Sequence, residues 1–348
     1  MLFGSTQVAR SALTLLQLSG VHRLLAAKTA GIGAILAFHR VLPRSPVADF
    51  EPNASLSITP EFLASSIELV QRRGYEIVPL AEARRRILAG GSKRRFCCFT
   101  FDDGYRDNLF HALPIAERYG VPITIFVTTG FVMRRAAVWW LALEFLVRSQ
   151  DEVTIGTGFA RQCLPTTNRS EKEKTYHQLA GLLARTAPAE QAVLLDRWAQ
   201  RYGVDCRALA AEEILTWPEV EELDRSGLVE IGSHAVCHKP LSGMSEPAAR
   251  EEMTESRRIL GTKLGRPIEF LAYPFGRLVH AGTREYELAA EVGYSGAVTM
   301  RHGTIHPEHG AALYALPRLT MNGVYASLRA LDLFLSGTTA ALLPAAAR

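Results

Sequence analysis

Two adjacent carboxylates directly follow a short apolar segment near residue 100. The segment FCCFTF at 96–101 is typical of a buried strand, and Asp102, Asp103 and Gly104 come immediately after it. Neighbouring aspartates repel each other, and burial increases this electrostatic cost. The pair therefore indicates either a solvated turn of the ordinary Asp-Gly type or a place where a cation lies beside the carboxylates.

Two histidines offer the further ligands that such a cation would need. His234 and His238 follow a second predicted strand and are four residues apart, so one helical turn would project both rings to the same side. Two neutral imidazoles and one carboxylate suit a divalent cation such as Zn²⁺. These residues alone leave open whether Asp102 or Asp103 is the ligand, and an isolated H-x-x-x-H pair is weak evidence for a metal.

A further histidine, His39, follows the predicted strand at 32–38. In α/β sheets and barrels, ligands bind at the carboxyl ends of the strands. The aspartate pair, the histidine pair and His39 all fall at such ends, so we expect them to meet in one site. Considered singly, His39 could equally be the polar end of its strand.

The segments that must position these residues alternate between strands and helices, which predicts parallel βαβ units. Asp107 and Asn108 are interpreted as the start of a helix, and Thr216 with Glu219 as a capping box that begins another. Residues 136–211 show helical patterns and no convincing strand, which predicts a helical insertion. The predicted strands are 32–38, 96–101, 122–128, 228–232, 268–273 and 296–300, and the other predicted helices are 61–73, 108–119 and 283–292, each stopping before a glycine.

Composition narrows the class of protein. The 348 residues are 48% hydrophobic and 21% charged, as in an ordinary globular protein with a large core. The net charge of +4 is spread over short basic clusters without a nucleic-acid-binding motif, so we expect no nucleic-acid partner. Five cysteines without framework spacing favour a reducing compartment, and we predict a cytoplasmic protein.

The ends of the chain carry weaker signals. Residues 1–30 are apolar but interrupted by charges, which predicts an amphipathic helical segment rather than a signal peptide or a membrane span. Peripheral membrane contact through this segment is an open alternative, and would make the protein membrane-associated. The Ala/Leu-rich tail at 331–348 indicates no function, and nothing in the sequence indicates an oligomeric state.

Three motifs taken together resemble those of the polysaccharide deacetylases, the NodB-homology domains of carbohydrate esterase family 4. They are TFDDGY at 100–105, SHAVCH at 233–238 and AYPFG at 272–276, and the segments LTWP at 215–218 and SGLVEIGSH at 226–234 are also typical. The resemblance covers about residues 34–320 outside the insertion. It implies an α/β fold, a distorted (β/α)7 TIM-like barrel, in a domain that we place at 31–330.

The resemblance also implies roles for particular residues. Asp102 matches the general base of the family, while Asp103, His234 and His238 match the ligands of a divalent metal such as Zn²⁺. The resemblance implies that such a metal would polarise the acetamide carbonyl and a bound water, and that Asp102 would take the proton of that water. The backbone N–H of Tyr105 is the expected further donor to the tetrahedral oxyanion.

Two positions depart from the family pattern. The common third motif has an arginine that orients the catalytic aspartate, and here Ala272 occupies that position, so we predict that Arg318 substitutes for it. The late Leu-x-His motif of the family has no clear counterpart. In a subset with permuted motif order this histidine comes from an early strand, and the segment LAFH at 36–39 makes His39 the candidate acid.

The resemblance finally implies a reaction and a substrate class. We expect hydrolysis of the N-acetyl group from N-acetylglucosamine-type residues of an oligo- or polysaccharide, similar to a chitooligosaccharide, with release of acetate. Alternatives are a small amide, a lipid-linked or exopolysaccharide-precursor sugar at the membrane face, and a non-catalytic glycan-binding relative. The expected substrate contacts are Tyr105, Tyr273, Pro274, Phe275 and Trp217, although Tyr105 and Trp217 are of types that more often only pack.

Overall fold

The structure, a computed structural model, describes residues 20–43, 50–156, 162–321 and 323–342. Residues 1–19 of the predicted N-terminal segment and residues 343–348 of the predicted tail lie outside the described residues. The strands are β1 Gly33–Phe38, β2 Arg40–Val41, β3 Ser57–Ile58, β4 Glu76–Ile77, β5 Phe96–Phe101, β6 Ile123–Val127, β7 Glu152–Ile155, β8 Gln162–Pro165, β9 Val229–Ser233, β10 Phe270–Ala272, β11 Gly296–His302 and β12 Leu316–Thr320. The α-helices are α1 Val21–Thr29, α2 Pro60–Arg72, α3 Leu80–Leu88, α4 Leu113–Tyr119, α5 Thr129–Val132, α6 Trp139–Ser149, α7 Arg169–Arg185, α8 Pro188–Tyr202, α9 Cys206–Glu212, α10 Trp217–Arg225, α11 Glu246–Leu264, α12 Thr283–Val292, α13 Leu328–Leu335 and α14 Thr338–Leu342.

Parallel strands close into a barrel in the order β1, β12, β11, β10, β9, β6 and β5, and β5 pairs back with β1. Every neighbouring pair in this ring is parallel. Strand β4 lies outside the ring, beside the start of β5, with Glu76 opposite Phe96. The helices surround the ring, so the predicted α/β fold, a distorted (β/α)7 TIM-like barrel, is confirmed.

The packing of β1 against β5 explains why both strands are almost entirely apolar. All residues of the two strands are buried, as expected for parallel strands covered on both faces. Phe38 stacks on Phe99 and Phe101, with ring centroids 5.7 and 5.3 Å apart. Phe38 also lies opposite Phe101 in the strand register. The next residues, His39 and Asp102, therefore leave the two strands side by side at the carboxyl end.

Helix ends follow the signals predicted from the sequence. Glu219 accepts hydrogen bonds from the backbone N–H and the hydroxyl of Thr216 at 2.8 and 3.0 Å, so the predicted capping box begins α10. Helices α4 and α12 end at Gly120 and Gly293, whose φ angles of +61° and +93° lie in the left-handed region that favours glycine. A π-helical turn at Asn108–Ala112 precedes α4.

The insertion at 136–211 is only partly as predicted. It contains α6 to α9, but also the antiparallel hairpin β7–β8, in which Val153 and Leu164 face each other and are buried. The expectation of no strand is therefore wrong, because four-residue strands carry too few alternating positions to be recognised between helices. Pro188 separates α7 from α8, since proline cannot continue a helix but is well placed in its first turn.

Strand β12 completes the barrel, although its sequence does not predict a strand. Pro317 lacks a backbone donor and Arg318 is charged, and neither is typical of a central strand. Arg318 is nevertheless fully buried. The predicted tail at 331–348 likewise contains most of α13 and all of α14.

An ion pair connects helix α1 to α13. Asp332 on α13 accepts hydrogen bonds from Arg23 on α1 at 3.2 and 3.1 Å, and also from Arg73 at the end of α2 at 2.5 and 2.7 Å. At its carboxyl end α1 leads directly into β1, where Arg95 donates to the carbonyls of Ala26 and Gly31. This helix therefore lies at the amino end of the barrel strands. No helix among the described residues is long and apolar enough to cross a membrane.

Candidate active site

Side chains from three strands meet at the carboxyl end of the barrel. His39 follows β1, Asp102 and Asp103 follow β5, and His234 follows β9. Together with His238 they line a cavity of about 560 Å³. The structure thus brings together five of the residues selected from the sequence.

Asp103, His234 and His238 form a compact cluster of ligand atoms. Asp103 Oδ1 lies 3.4 Å from His234 Nε2 and 3.0 Å from His238 Nε2. Among the described residues, this is the one group of three His, Cys, Asp or Glu side chains whose ligand atoms all lie within 4.8 Å of one another. The cluster is a candidate metal site.

Hydrogen bonding around the cluster tests whether it fits a cation. His234 Nδ1 lies 2.7 Å from the carbonyl oxygen of Ala272, so Nδ1 carries a proton and, in the neutral ring, the Nε2 lone pair faces Asp103. Asp103 Oδ1 is buried and receives no hydrogen bond within the described residues. Lone pairs that face each other need a positive charge between them, so the donor set fits a divalent metal ion.

The loop that carries the two histidines is not helical, so a helical turn, the arrangement considered for 234–238, is not what brings the two rings together. Ala235 and His238 instead have left-handed φ angles of +59° and +51°, and Asp103 has a φ of +75°. The two imidazole rings still converge, with centroids 5.0 Å apart. Non-glycine residues in this region are strained by about 1 kcal/mol or more, so contacts elsewhere must hold the loop.

Glu252 on α11 supplies such a contact. One of its carboxylate oxygens accepts hydrogen bonds from the backbone N–H groups of Val236 and Cys237, at 2.9 and 2.8 Å. These two residues lie between His234 and His238, so Glu252 fixes the backbone that carries both rings. The sequence analysis missed this residue because a glutamate on a polar helix gives no signal of a distant backbone contact.

Replacing Glu252 with alanine is expected to weaken zinc binding about 10- to 100-fold, because loss of a group that supports the ligands typically has this effect. Competition with a chromophoric chelator measures the affinity directly and needs no substrate. Glu255→Ala is the matched control, since Glu255 lies on the same helix and pairs with Arg258 at the surface. Glu252→Gln, which keeps one acceptor oxygen, should recover part of the affinity. Equal zinc affinity in the Glu252→Ala and Glu255→Ala variants would exclude this positioning role.

The second carboxylate of the pair has a different partner. Arg318 donates two hydrogen bonds to Asp102, at 2.8 Å to Oδ1 and 2.7 Å to Oδ2. Arg318 is fully buried and also donates to the carbonyl of Thr299 and the hydroxyl of Thr100, at 2.9 and 3.0 Å. Arg318 therefore contacts the aspartate that it is predicted to orient, while its role in turnover stays a prediction.

The ionisation of Asp102 follows from this contact. Burial on its own raises the pKa of Asp102, but the adjacent Arg318 guanidinium and the nearby His234 lower it by more, so the pKa lies below its ordinary value. Asp102 is accordingly a carboxylate at neutral pH. The two aspartates thus avoid mutual repulsion in different ways, one through an arginine and one through the histidine cluster.

His39 is held from its backbone rather than from its ring. Asn108 donates its side-chain amide to the carbonyl of His39 at 2.9 Å. Asp107 accepts from Arg40 Nε and from the backbone of Val41, both at 2.8 Å. Asp107 and Asn108 begin the π-helical turn that leads into α4, in line with the predicted helix start. They also fix the chain that follows β1, which the sequence analysis missed. The Nδ1 atom of His39 is buried without a hydrogen-bond partner among the described residues.

The predicted substrate contacts divide into two groups. Phe275 lines the cavity, with its ring centroid 4.8 Å from that of His238. Tyr273 is fully buried and donates to the carbonyl of Tyr314, and Trp217 packs against Lys263. Tyr105, Pro274, Tyr273 and Trp217 are not among the described residues that line the cavity.

The insertion contributes walls that the sequence did not predict. Trp139, Trp140 and Tyr176 line the cavity, and the Trp140 ring lies 5.1 Å from that of His238. Trp140 donates its indole N–H to the hydroxyl of Tyr105 at 2.8 Å. The pair Trp139-Trp140 was the one hint in the sequence that the insertion takes part in the site. The insertion contacts the motif residues only in the folded structure, so no local pattern predicts these contacts.

Paired carboxylates and a candidate metal site at the carboxyl end of a parallel barrel lie where barrel enzymes carry their active sites. The sequence model of the family Polysaccharide deacetylase matches residues 89–157 and 159–297, which is more than half of the chain. The chain therefore belongs to the polysaccharide deacetylase family, with NodB homology and of the carbohydrate esterase 4 kind. It is accordingly a hydrolase that acts on carbon–nitrogen bonds.

Several known proteins are similar to this chain at low sequence identity. YxkH of Bacillus subtilis (strain 168), which carries the name of a polysaccharide deacetylase, is 19% identical over 77% of this chain and 67% of its own. The Streptococcus pyogenes deacetylase PplD, solved in complex with acetate, has a TM-score of 0.55 at 20% identity over 83% of this chain and 92% of its own. IcaB from Ammonifex degensii has a TM-score of 0.54 at 17% identity over 88% and 97%. At these identities the two structures show a shared fold.

Proposed function

We propose that the protein removes N-acetyl groups from N-acetylglucosamine-type residues of an oligo- or polysaccharide, similar to a chitooligosaccharide, in a metal-dependent hydrolysis. The observation that carries the proposal is the arginine-bound Asp102 beside the cluster of Asp103, His234 and His238. The products would be acetate and a free amino sugar. The expected cytoplasmic location and lack of a nucleic-acid partner stay predictions.

In this proposal Asp103, His234 and His238 hold the cation, and two imidazoles with one carboxylate favour Zn²⁺. When bound, the ion supplies Lewis acidity, which polarises an acetamide carbonyl and lowers the pKa of a water molecule. The hydrogen bond from His234 to Ala272 O keeps the other ring nitrogen free as a ligand atom.

Asp102 is assigned the role of general base. It is ionised at neutral pH, and Arg318 holds both of its oxygens, so the carboxylate cannot rotate away from the cavity. A carboxylate fixed in this way can accept the proton of a water molecule as it attacks the acetyl carbon. The remaining charge of the pair, Asp103, faces the histidines and is not free for this task.

Tyr105 and His39 are assigned to the later steps. Tyr105 does not line the cavity, but it follows the turn at residues 102–104 and its backbone N–H makes no hydrogen bond within the described residues, so the N–H is assigned as a donor to the oxyanion. Burial lowers the pKa of His39, against the opposing effect of Asp103 and Asp102, so the resting ring is neutral near pH 7. His39 must therefore gain a proton before it donates one to the leaving amine. The proton that Asp102 takes from water is the available source.

The cavity favours a sugar over a small amide. Its aromatic wall, formed by Trp139, Trp140, Tyr176, Phe275 and Tyr325, offers apolar faces against which a sugar ring can pack. A volume of about 560 Å³ is within the range of ligand pockets and exceeds what a simple acetamide needs. The complete set of base and ligand residues also argues against a non-catalytic glycan-binding relative.

Acetate release from a panel of N-acetylglucosamine oligomers, with and without a chelator, tests the proposed function. We expect release from the untreated protein, loss after chelation and recovery on addition of Zn²⁺. In the same assay His39→Ala should release acetate more slowly with its metal content unchanged. Release that survives complete metal removal, or its absence from every acetylated glycan in the zinc-loaded protein, would contradict the proposal.

A further inference from the structure

A turn at residues 275–281 forms part of the cavity rim and is held by hydrogen bonds to its backbone. The carbonyl of Arg277 accepts hydrogen bonds from the backbones of His280 and Ala281, at 2.8 and 3.0 Å. From outside the turn, Ser242 donates its hydroxyl to Val279 O at 2.7 Å and its backbone N–H to His280 O at 3.0 Å. These hydrogen bonds hold the backbone of the turn in place.

The tip of this turn exposes large apolar side chains. Val279 is 75% exposed, Leu278 is 52% exposed and Phe275 is 40% exposed. Phe275 and Arg277 also line the catalytic cavity, so the apolar tip is continuous with its mouth. An object that covers the tip must therefore lie directly beside the active site.

Arg277 gives the tip a positive charge. Within the described residues it forms no ion pair with a carboxylate, whereas surface arginines such as Arg258 and Arg169 each pair with a glutamate. An apolar tip with an adjacent unneutralised guanidinium complements a surface that is both apolar and anionic. Such a surface is the interface of a bilayer that contains acidic lipids.

The size of the tip separates a membrane from a protein partner. A stable protein interface buries at least about 1,200 Å² and takes about 20 residues from each side. Three apolar side chains and one cation are far fewer, but such a small anchor is enough for reversible contact with a lipid headgroup region. We propose that the tip, residues 275–279, inserts into the surface of an anionic bilayer and holds the cavity mouth at that surface.

A second apolar patch on α1 supplies an internal control. Leu24 is 81% exposed and Leu25 is 40% exposed, and α1 lies at the amino end of the barrel strands, opposite the cavity. The two patches cannot both be the primary contact of one rigid barrel with a flat membrane. Contact through the tip would turn the active site toward the membrane, whereas contact through α1 would turn it away from the membrane.

Co-sedimentation of the full chain with vesicles of phosphatidylcholine, with and without phosphatidylglycerol, tests the proposal. We expect binding that requires phosphatidylglycerol and falls about 10-fold in the double variant Leu278→Ser/Val279→Ser, because two apolar contacts are lost. Arg277→Gln should weaken binding several-fold and reduce its dependence on salt. The double variant Leu24→Ser/Leu25→Ser should bind as the unmodified protein does.

Three results would overturn the proposal: no vesicle binding by the unmodified chain, undiminished binding by the rim double variant, or a loss confined to the α1 double variant. The last result would assign the membrane contact to the N-terminal region instead. Vesicle binding does not require catalysis, so the outcome is independent of the proposed function. Acetate release from soluble oligomers by the Leu278→Ser/Val279→Ser variant should be unchanged, which shows that the barrel remains intact.

Discussion

Asp102→Asn is expected to lower kcat about 100- to 10,000-fold while the chain keeps its metal, because an amide cannot accept the proton that a general base removes. Asparagine has nearly the same shape as aspartate, and its side-chain oxygen can still accept one hydrogen bond from Arg318. Acetate release measures the rate, and elemental analysis of the dialysed protein measures the metal content. Thermal unfolding measures the stability of the variant, which should fall because the buried Arg318 guanidinium loses its counter-charge.

Asp103→Asn should behave differently, because it removes a charged ligand atom from the cluster with His234 and His238. We expect it to lose metal on dialysis, and to recover part of its rate in excess Zn²⁺. Excess Zn²⁺ should not restore the Asp102→Asn variant. Asp151→Asn, on the surface of the insertion, is the control for the exchange of an aspartate as such. If Asp102→Asn and Asp103→Asn respond alike to added metal, the division of roles between the two carboxylates is wrong.

The sequence predicts the barrel strands that are apolar throughout, but it does not predict β12, the strand that closes the barrel between β1 and β11. Strands such as β1 and β5 are buried on both faces, so their sequences are continuous apolar runs with a sharp polar end. Strand β12 instead carries Arg318 into the core, where Asp102 neutralises it. A buried arginine in a central strand is explained only by the carboxylate that follows the strand β5. The sequence of β12 on its own therefore does not predict a strand.

The site shows the same division between local and tertiary information. Asp103, His234 and His238 lie in short motifs whose residue types themselves suggest metal chemistry. Glu252 and Asn108 act through contacts with distant backbone groups, which no local pattern reports. The convergence of the histidines was expected for the wrong reason, since left-handed backbone angles rather than a helical turn bring the rings together.

Arg318→Ala should lower turnover about 100-fold with the metal content intact, because a base that is misplaced by about 1 Å loses a factor of this size. Arg318 touches Asp102 but does not line the cavity, so it acts as a positioning residue. Loss of its guanidinium also leaves a buried carboxylate unpaired. The free energy of unfolding should therefore fall by about 3–5 kcal/mol, as measured by denaturant titration.

A double-mutant cycle separates positioning of the base from mere support of the fold. If Arg318 acts through Asp102, then Arg318→Ala adds little further loss of rate once Asp102→Asn is present, because the two residues work as one unit. The double variant should also be more stable than Arg318→Ala alone, since a neutral amide tolerates burial without a counter-charge better than a carboxylate does. Multiplicative losses of rate would mean that Arg318 affects the reaction by a route other than Asp102. Unchanged turnover of the Arg318→Ala variant would exclude Arg318 from the mechanism. The prediction that Arg318 replaces the arginine expected at the position of Ala272 would then be wrong.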